Sequence, residues 1–348
     1  MARAIWGIAG AAGLVGLGCS NPPPADFGET GGTGSSGSGH SAGGSGQPGA
    51  GGGSSGGNVG AGGSSSGGAQ GGEQSAGGAS QGGSVSSGGT SSSGGAAGSG
   101  PQPTGPYKGV GLNDVGRPNG DECTDLDSVG PSWFYNWAAG SPCEGNHDAE
   151  YVPIILRWWE QHDWVPSPSE VAQDGRTIIL GFNEPDRGEQ ANLSVSQVLD
   201  IWPEFQIDGI RLGSPATASD PNGKAWFESF MAGVAERGLR VDFIAIHWYG
   251  WNGGCDTIDS FAGHVDWAEQ WGKPIWITEF SCYGQSEPVT RNFHAMAIDF
   301  LENHPLVERY AWFRTYWNDP GFQNAALVQN NGTPTELGQD YAARPRFR

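Results

Sequence analysis

From Tyr107 onward the chain alternates short β-rich runs with helical patterns, and this alternation limits the available folds more than any other feature. The candidate strands cover residues 108–113, 132–138, 151–158, 177–182, 211–216, 241–249, 274–280 and 308–315. Several are apolar almost throughout, as in Thr177-Ile178-Ile179-Leu180-Gly181-Phe182, the pattern of a strand buried on both faces. Helical patterns separate the later runs. Residues 194–205 open on Ser194-x-x-Gln197, a capping-box signal, and continue with Val198, Leu199, Ile201, Trp202 and Phe205 at helical spacing. Residues 224–237 stop at Gly238, 259–271 at Gly272, and 290–303 just before Pro305. Alternating strands and helices imply a parallel sheet, and eight such units in about 235 residues predict an α/β chain closed into a (β/α)8 TIM barrel. No Gly-x-Gly-x-x-Gly follows the first strand and no phosphate-binding loop is present, so nucleotide chemistry has no footing.

The region before the barrel has a different composition. The chain has 62 Gly among 348 residues, concentrated near the N-terminus. Residues 20–105 are almost wholly Gly, Ser and Ala, and such a stretch has too little apolar surface to offset its conformational entropy. It is expected to be a disordered linker. Ahead of it, Arg3 provides a positive start, residues 5–17 a short apolar core, and Leu17-Gly18-Cys19-Ser20 a terminus. This resembles a bacterial lipoprotein signal with Cys19 as the lipidated mature N-terminus, although Gly16 stands where a larger residue is usual. Simple secretion is the alternative. The expected organisation is a signal peptide at 1–19, a linker at 20–105 and a folded domain at 106–345. An exported location follows, at the outer membrane or cell surface, or free in the medium. A flexible spacer of about 85 residues would let the domain sample roughly 50 Å around its tether.

The formal net charge is −20, which disfavours nucleic acid and anionic membrane surfaces but not a neutral polymer such as a polysaccharide. No apolar run after the first twenty residues is long enough to span a bilayer, so membrane contact would come only through the lipid anchor. Setting Cys19 aside leaves Cys123, Cys143, Cys255 and Cys282, an even count that in an exported chain favours disulfides. Three pairings are possible. Cys123–Cys143 would join neighbouring loops and Cys255–Cys282 the loops after two late strands, and that pairing is preferred. No Cys-x-x-Cys or tight Cys/His cluster appears, so neither a metal nor another cofactor is expected.

In a barrel of this kind the active site lies where the strands end. Two of them end in glutamate. The fourth runs into Gly181-Phe182-Asn183-Glu184-Pro185-Asp186, and the seventh runs Pro274-Ile275-Trp276-Ile277-Thr278-Glu279-Phe280-Ser281. Strands four and seven face one another across an eight-stranded mouth, so both carboxyls can converge on one bond. Paired carboxylates suit glycosidic cleavage, which needs a proton donor for the leaving oxygen and a partner for the oxocarbenium-like carbon. Retaining enzymes hold the two groups about 5–5.5 Å apart so that one attacks directly. Read without their partners, Asp186 is a candidate cap for the next helix, Glu160 a solvent-facing residue and His247 a satisfied core histidine, with no visible partners for a metal.

Asn183-Glu184-Pro185 together with Thr278-Glu279-Phe280 resembles the retaining glycosidases of clan A. That resemblance implies Glu184 as acid/base, Glu279 as nucleophile and Asn183 as a ligand of the sugar 2-hydroxyl. Further motifs follow in register. They are Trp133-Phe134-Tyr135-Asn136-Trp137, Gly213-Ser214-Pro215-Ala216, Val241-Asp242-Phe243-Ile244-Ala245-Ile246-His247-Trp248-Tyr249-Gly250 and Ala311-Trp312-Phe313. Together these resemble glycoside hydrolase family 128, whose members cleave β-1,3-glucans, over nearly all of residues 107–341. The resemblance implies that Tyr249 hydrogen-bonds Glu279, that His247 makes a polar contact near it, and that Tyr135 and Asn136 meet substrate. Strand three departs from the family pattern, reading Tyr151-Val152-Pro153-Ile154-Ile155-Leu156-Arg157-Trp158-Trp159, so the aromatic platform falls to Trp158 or Trp159. Of the 15 Trp, Trp248, Trp251, Trp312 and Trp317 fall at or beyond strand ends and are candidates to stack on sugar rings. The expected protein is a monomeric retaining endo-β-1,3-glucanase acting on β-glucan by double displacement. The alternatives are an exo-β-1,3-glucanase, another clan A β-glycanase for β-1,4 or mixed linkages, and a non-catalytic surface glucan-binding protein.

Overall fold

Eight strands pair in parallel: β1 (Tyr107–Gly111), β2 (Trp133–Tyr135), β3 (Glu150–Tyr151), β4 (Ile178–Ile179), β5 (Arg211–Leu212), β6 (Ile244–Gly250), β7 (Ile275–Cys282) and β8 (Val307–Trp312). In this computed structural model the described residues are 106–113, 121–141, 143–145 and 147–346; the signal segment with Cys19 and the linker expected at 20–105 lie outside them. One ladder runs β3-β2-β1-β8-β7-β6 and a second joins β4 to β5. Single parallel bridges, Ile154 to Leu180 and Gly213 to Phe243, close the ring. The result is the (β/α)8 barrel.

The strands differ in length for a chemical reason. β3, β4 and β5 have two residues each, where the sequence pattern predicts six to eight. Pro153 and Pro215 supply no N–H to a ladder, so pairing there falls back on isolated bridges. Inward and outward side chains alternate. Trp133, Tyr135, Leu180, Phe243, Trp276 and Ala311 fill the barrel interior, where Trp276 stacks on Phe243 at 4.1 Å between centroids. Their neighbours in sequence, such as Phe134, Ile275, Ile277 and Tyr310, face the helices.

The outer layer comprises α1 (Glu122–Val129), α2 (Pro168–Gln173), α3 (Val195–Ile201), α4 (Pro221–Glu236), α5 (Asp259–Ala268), α6 (Glu287–Asn303) and α7 (Glu336–Ala343). Ser194 forms the capping box with Gln197, but Pro203 ends the α-helical part at Ile201 and the chain continues as a 3-10 turn, Trp202–Phe205. Helix α4 starts three residues before the predicted 224, because the Asp220 carboxylate caps the Asn222 and Gly223 amides and Pro221 needs no partner there. Helices α1, α2 and α7 are additional to the sequence pattern, and α2 carries its own capping box, Ser167 to Glu170.

Among the described residues no helix joins β2 to β3. The segment between them is instead fastened to α1 by a Cys123–Cys143 disulfide, and a second disulfide links Cys255 to Cys282. Two of these cysteines are not in loops: Cys123 lies in α1 and Cys282 ends β7.

Candidate active site

Strand β7 carries one extra residue relative to β6. Ile246 pairs with Ile277, but the next pair is His247 with Glu279, so Thr278 is bulged out of register. Bulges re-aim side chains beside active sites, and here the bulge brings His247 level with Glu279 on the inner face. The Glu279 carboxylate is held on both oxygens. Oε1 accepts from the Trp137 indole at 2.8 Å and from the Tyr135 hydroxyl at 3.1 Å. Oε2 accepts a short bond from the Tyr249 hydroxyl.

The opposite wall is built from irregular backbone. Gly181 lets the end of β4 lie against the chain after β5, since a Cβ there would come within 2.8 Å of Ser214 C and Pro215 N. Asn183 bridges to Ala216, and Glu184 turns into the left-handed region at φ 39° while its N–H donates to Ala216 O at 2.7 Å. That turn points the Glu184 side chain back over the barrel. The Asn183 amide donates to Gln190 Oε1 at 3.1 Å, and its buried Oδ1 has no hydrogen-bond partner among the described residues.

His247 stands between the two carboxylates. Its Nδ1 lies 3.1 Å from Glu184 Oε1 and 3.5 Å from Glu279 Oε2, and all three residues are at most 3% exposed. One ligand atom from each lies within 4.8 Å of the others. The polar contact near Glu279 that the resemblance implies for His247 is present, and the bulge in β7 adds Glu184, so that two carboxylates converge where the sequence shows no partners for a metal. Burial opposes a charged imidazole, but the Glu279 and Glu184 carboxylates outweigh it and raise the His247 pKa. A cation at this place offsets the repulsion between two carboxylates. The three groups could also ligate a metal ion, although Nδ1 is already engaged by Glu184.

Asp186 caps no helix, contrary to the sequence expectation. Its Oδ1 accepts from Ala218 N at 3.2 Å in the loop after β5, and Arg187 Nε lies 3.3 Å from Oδ2. Burial, aided by the nearby charge of Glu184, pushes its pKa up to about 6 despite the Ala218 N–H and Arg187.

The remaining candidates separate by the alternation of the strands. Trp248 and Trp312 face the helices, not the mouth: Trp248 packs on Phe261 and Phe293, and Trp312 donates to Ala325 O and packs on Phe280 and His294. Both are corrections. Tyr135 serves the carboxylate rather than open space, its hydroxyl lying also 3.0 Å from Thr278 O. The Asn136 side chain braces its own loop, accepting from Tyr151 at 2.8 Å and donating to Gly140 O at 3.2 Å. Trp251 is half-buried with its ring 4.2 Å from that of Tyr283. Trp317 stacks on Phe322 beneath the Arg314 guanidinium. Trp159 packs on Phe182 and Phe205, whereas the indole nitrogen of the half-buried Trp158 is buried with no hydrogen-bond partner among the described residues. Glu160 is exposed. Trp137 was not singled out from the sequence, yet it stands two residues beyond Tyr135 and so repeats its inward register.

A carboxylate pair at opposite strand ends of a parallel barrel, in hydrogen-bonding reach of one imidazole, is the equipment of a glycoside hydrolase. Residues 109–341 match the family model described as the glycosyl hydrolase catalytic core. Alkali-sensitive linkage protein 1 of Schizosaccharomyces pombe is 32% identical over 230 residues, covering 61% of this chain and 40% of that relative's length. The crystal structure of a family 128 subgroup I endo-β-1,3-glucanase from Amycolatopsis mediterranei, in complex with laminaritriose, is 31% identical with a TM-score of 0.56, covering 69% of this chain and 99% of that one. A family 128 subgroup III curdlan-specific exo-β-1,3-glucanase from Blastomyces gilchristii, in complex with glucose, is 26% identical with a TM-score of 0.55, covering 68% and 98%. The chain belongs to glycoside hydrolase family 128.

Proposed function

We propose that this protein is an endo-β-1,3-glucanase that hydrolyses β-1,3-glucan with retention of configuration. The observation that carries the reading is the approach of Glu184 and Glu279, one carboxylate oxygen of each within 4.8 Å of the other and of His247. Such spacing suits direct attack, whereas an inverting pair stands about 6.5–9.5 Å apart to admit a water between them. Glu279 attacks the anomeric carbon as the glycosidic C–O bond breaks, and Glu184 gives its proton to the leaving oxygen. Glu184 then takes a proton from the water that attacks the same carbon, and the bond to Glu279 breaks. The laminaritriose bound to the A. mediterranei relative supports a β-1,3-glucan as substrate. The acidic chain, with its formal net charge of −20, suits an uncharged polymer. The Cys19 signal and the Gly/Ser arm support export, with the domain tethered to a cell surface.

Laminari-oligosaccharide digestion followed by NMR tests the whole reading. β-anomers appearing first, released from internal bonds of the longer oligomers, are the expected result. α-anomers appearing first would remove the double displacement, and glucose released alone from one end would replace endo by exo action.

A further inference from the structure

Among the described residues the nucleophile assigned above meets no arginine or lysine in its hydrogen-bond shell; its donors are an indole and two phenols. They are not distributed evenly. Oε1 receives the Trp137 N–H at 2.8 Å and shares the single Tyr135 O–H with Thr278 O, so the indole is its full donor and the phenol its second neighbour. Oε2 receives Tyr249, while His247 stands at 3.5 Å and inclines to Glu184 at 3.1 Å. One position on Oε2 is left over.

Trp137 is set up for this contact. Its backbone is left-handed at φ 56°, uncommon for a bulky residue and a mark of a site where the fold imposes a conformation. Its ring is braced edge-on by Phe313 and at a tilt by Tyr135. Gly111 opens the space behind it, since a Cβ there would come within 2.7 Å of the indole. The Arg314 guanidinium lies 5.4 Å from the ring centroid, where its field polarises the indole and strengthens the N–H as a donor.

We propose that Trp137 is a positioning residue which, with Tyr135, occupies Oε1 of Glu279 and so commits Oε2 to forming the glycosyl–enzyme bond. This rests on the reading of Glu279 as nucleophile. In that step the Oε2–C1 bond forms, the bond from C1 to the leaving oxygen breaks, and the proton passes from Glu184 to the leaving oxygen. Losing the indole donor frees Oε1 and lets the carboxylate rotate between two attacking oxygens.

The test compares Trp137→Phe, which keeps a ring and removes the N–H, with Tyr135→Phe and wild type, after melting curves establish that each variant is folded. On laminarihexaose, each substitution should lower kcat by about 10- to 100-fold, the range of one hydrogen bond to a charged group, with KM within about threefold. The double variant should lose less than the product of the two single losses, because both act on one oxygen. Turnover within twofold of wild type for both single variants would overturn the proposal, as would a loss in kcat/KM carried mainly by KM. A control separates this from the underlying reading: Glu279→Ala given azide and an activated aryl β-laminaribioside should yield the α-glycosyl azide. Failure of that control removes Glu279 as nucleophile and the proposal with it, whereas its success beside a silent Trp137→Phe removes the proposal alone.

Discussion

The two sides of the barrel mouth are built by different means. The β6–β8 side has strands of seven, eight and six residues in long ladders with local register shifts. The β3–β5 side has strands of two residues, held by single bridges and interrupted by Pro153, Pro185 and Pro215. Each side delivers one carboxylate. A continuous strand with one bulge fixes Glu279 among several donors, whereas Glu184 reaches the same place through a left-handed backbone turn. In the proposed mechanism the bond-forming group sits on the side with the longer strands. The proton donor sits where a left-handed turn carries it across.

The largest expected effects test whether the two sides do different chemistry. Glu279→Gln should lower hydrolysis by roughly 10⁴-fold or more, on laminarin and on a dinitrophenyl laminaribioside alike. Glu184→Gln should be as damaging on laminarin but recover most of its rate of glycosyl–enzyme formation with the dinitrophenyl leaving group, which needs no proton. Steady-state and burst kinetics on both substrates check this, and equal sensitivity of the two variants to the leaving group would break the distinction. The disulfides come next. Removing either bridge by a double Cys→Ser change should cost about 2–4 kcal/mol in denaturant unfolding. Only loss of Cys123–Cys143 should also lower kcat, because the segment that it anchors begins at the edge of Trp137. A smaller loss, about 1–3 kcal/mol, is expected for Gly181→Ala, whose new methyl group meets backbone that has no side-chain freedom to yield.

Stability also carries a pH dependence, which bears on neither side of the mouth. His264 in α5 and His294 in α6 are buried behind β6 and β8, and burial holds both pKa values down at about 3. In the unfolded chain both take up protons near pH 6.5, so between about 6.5 and 3 the unfolded state binds more protons and stability falls as pH falls. Each histidine contributes a slope approaching about 1.4 kcal/mol per pH unit within that window. Urea titrations from pH 7 to 4 should show it, and His294→Phe should remove about half.

Much of this arrangement could be read from residue order. Glu184 and Glu279 were found because a barrel assigns chemistry to strand ends, and both runs end in an acid. The alternation that put His247 and Tyr249 inward also required Trp248, between them, to face the helices; position at a strand end was the wrong criterion for that Trp and for Trp312. The bulge at Thr278 leaves no mark in the sequence, since it is a property of pairing between two strands; the resemblance implied a contact of His247 near Glu279, but not its simultaneous contact with Glu184. The short β3–β5 ladders are a partial case: the prolines were visible, but the apolar runs around them read as full strands. Helix α1 is short and polar, and its place is set by a disulfide partner rather than by an apolar stripe.

The Cys123–Cys143 bridge stands where most barrels of this kind have a helix between the second and third strands. A helix docks by burying apolar surface and so assembles under any redox condition; a sulfur bridge assembles only where thiols are oxidised. Material made in a reducing cytosol would keep its barrel and its two glutamates yet leave the rim beside Trp137 unclamped. Specific activity, rather than solubility or yield, is therefore the quantity that reports whether a preparation has matured.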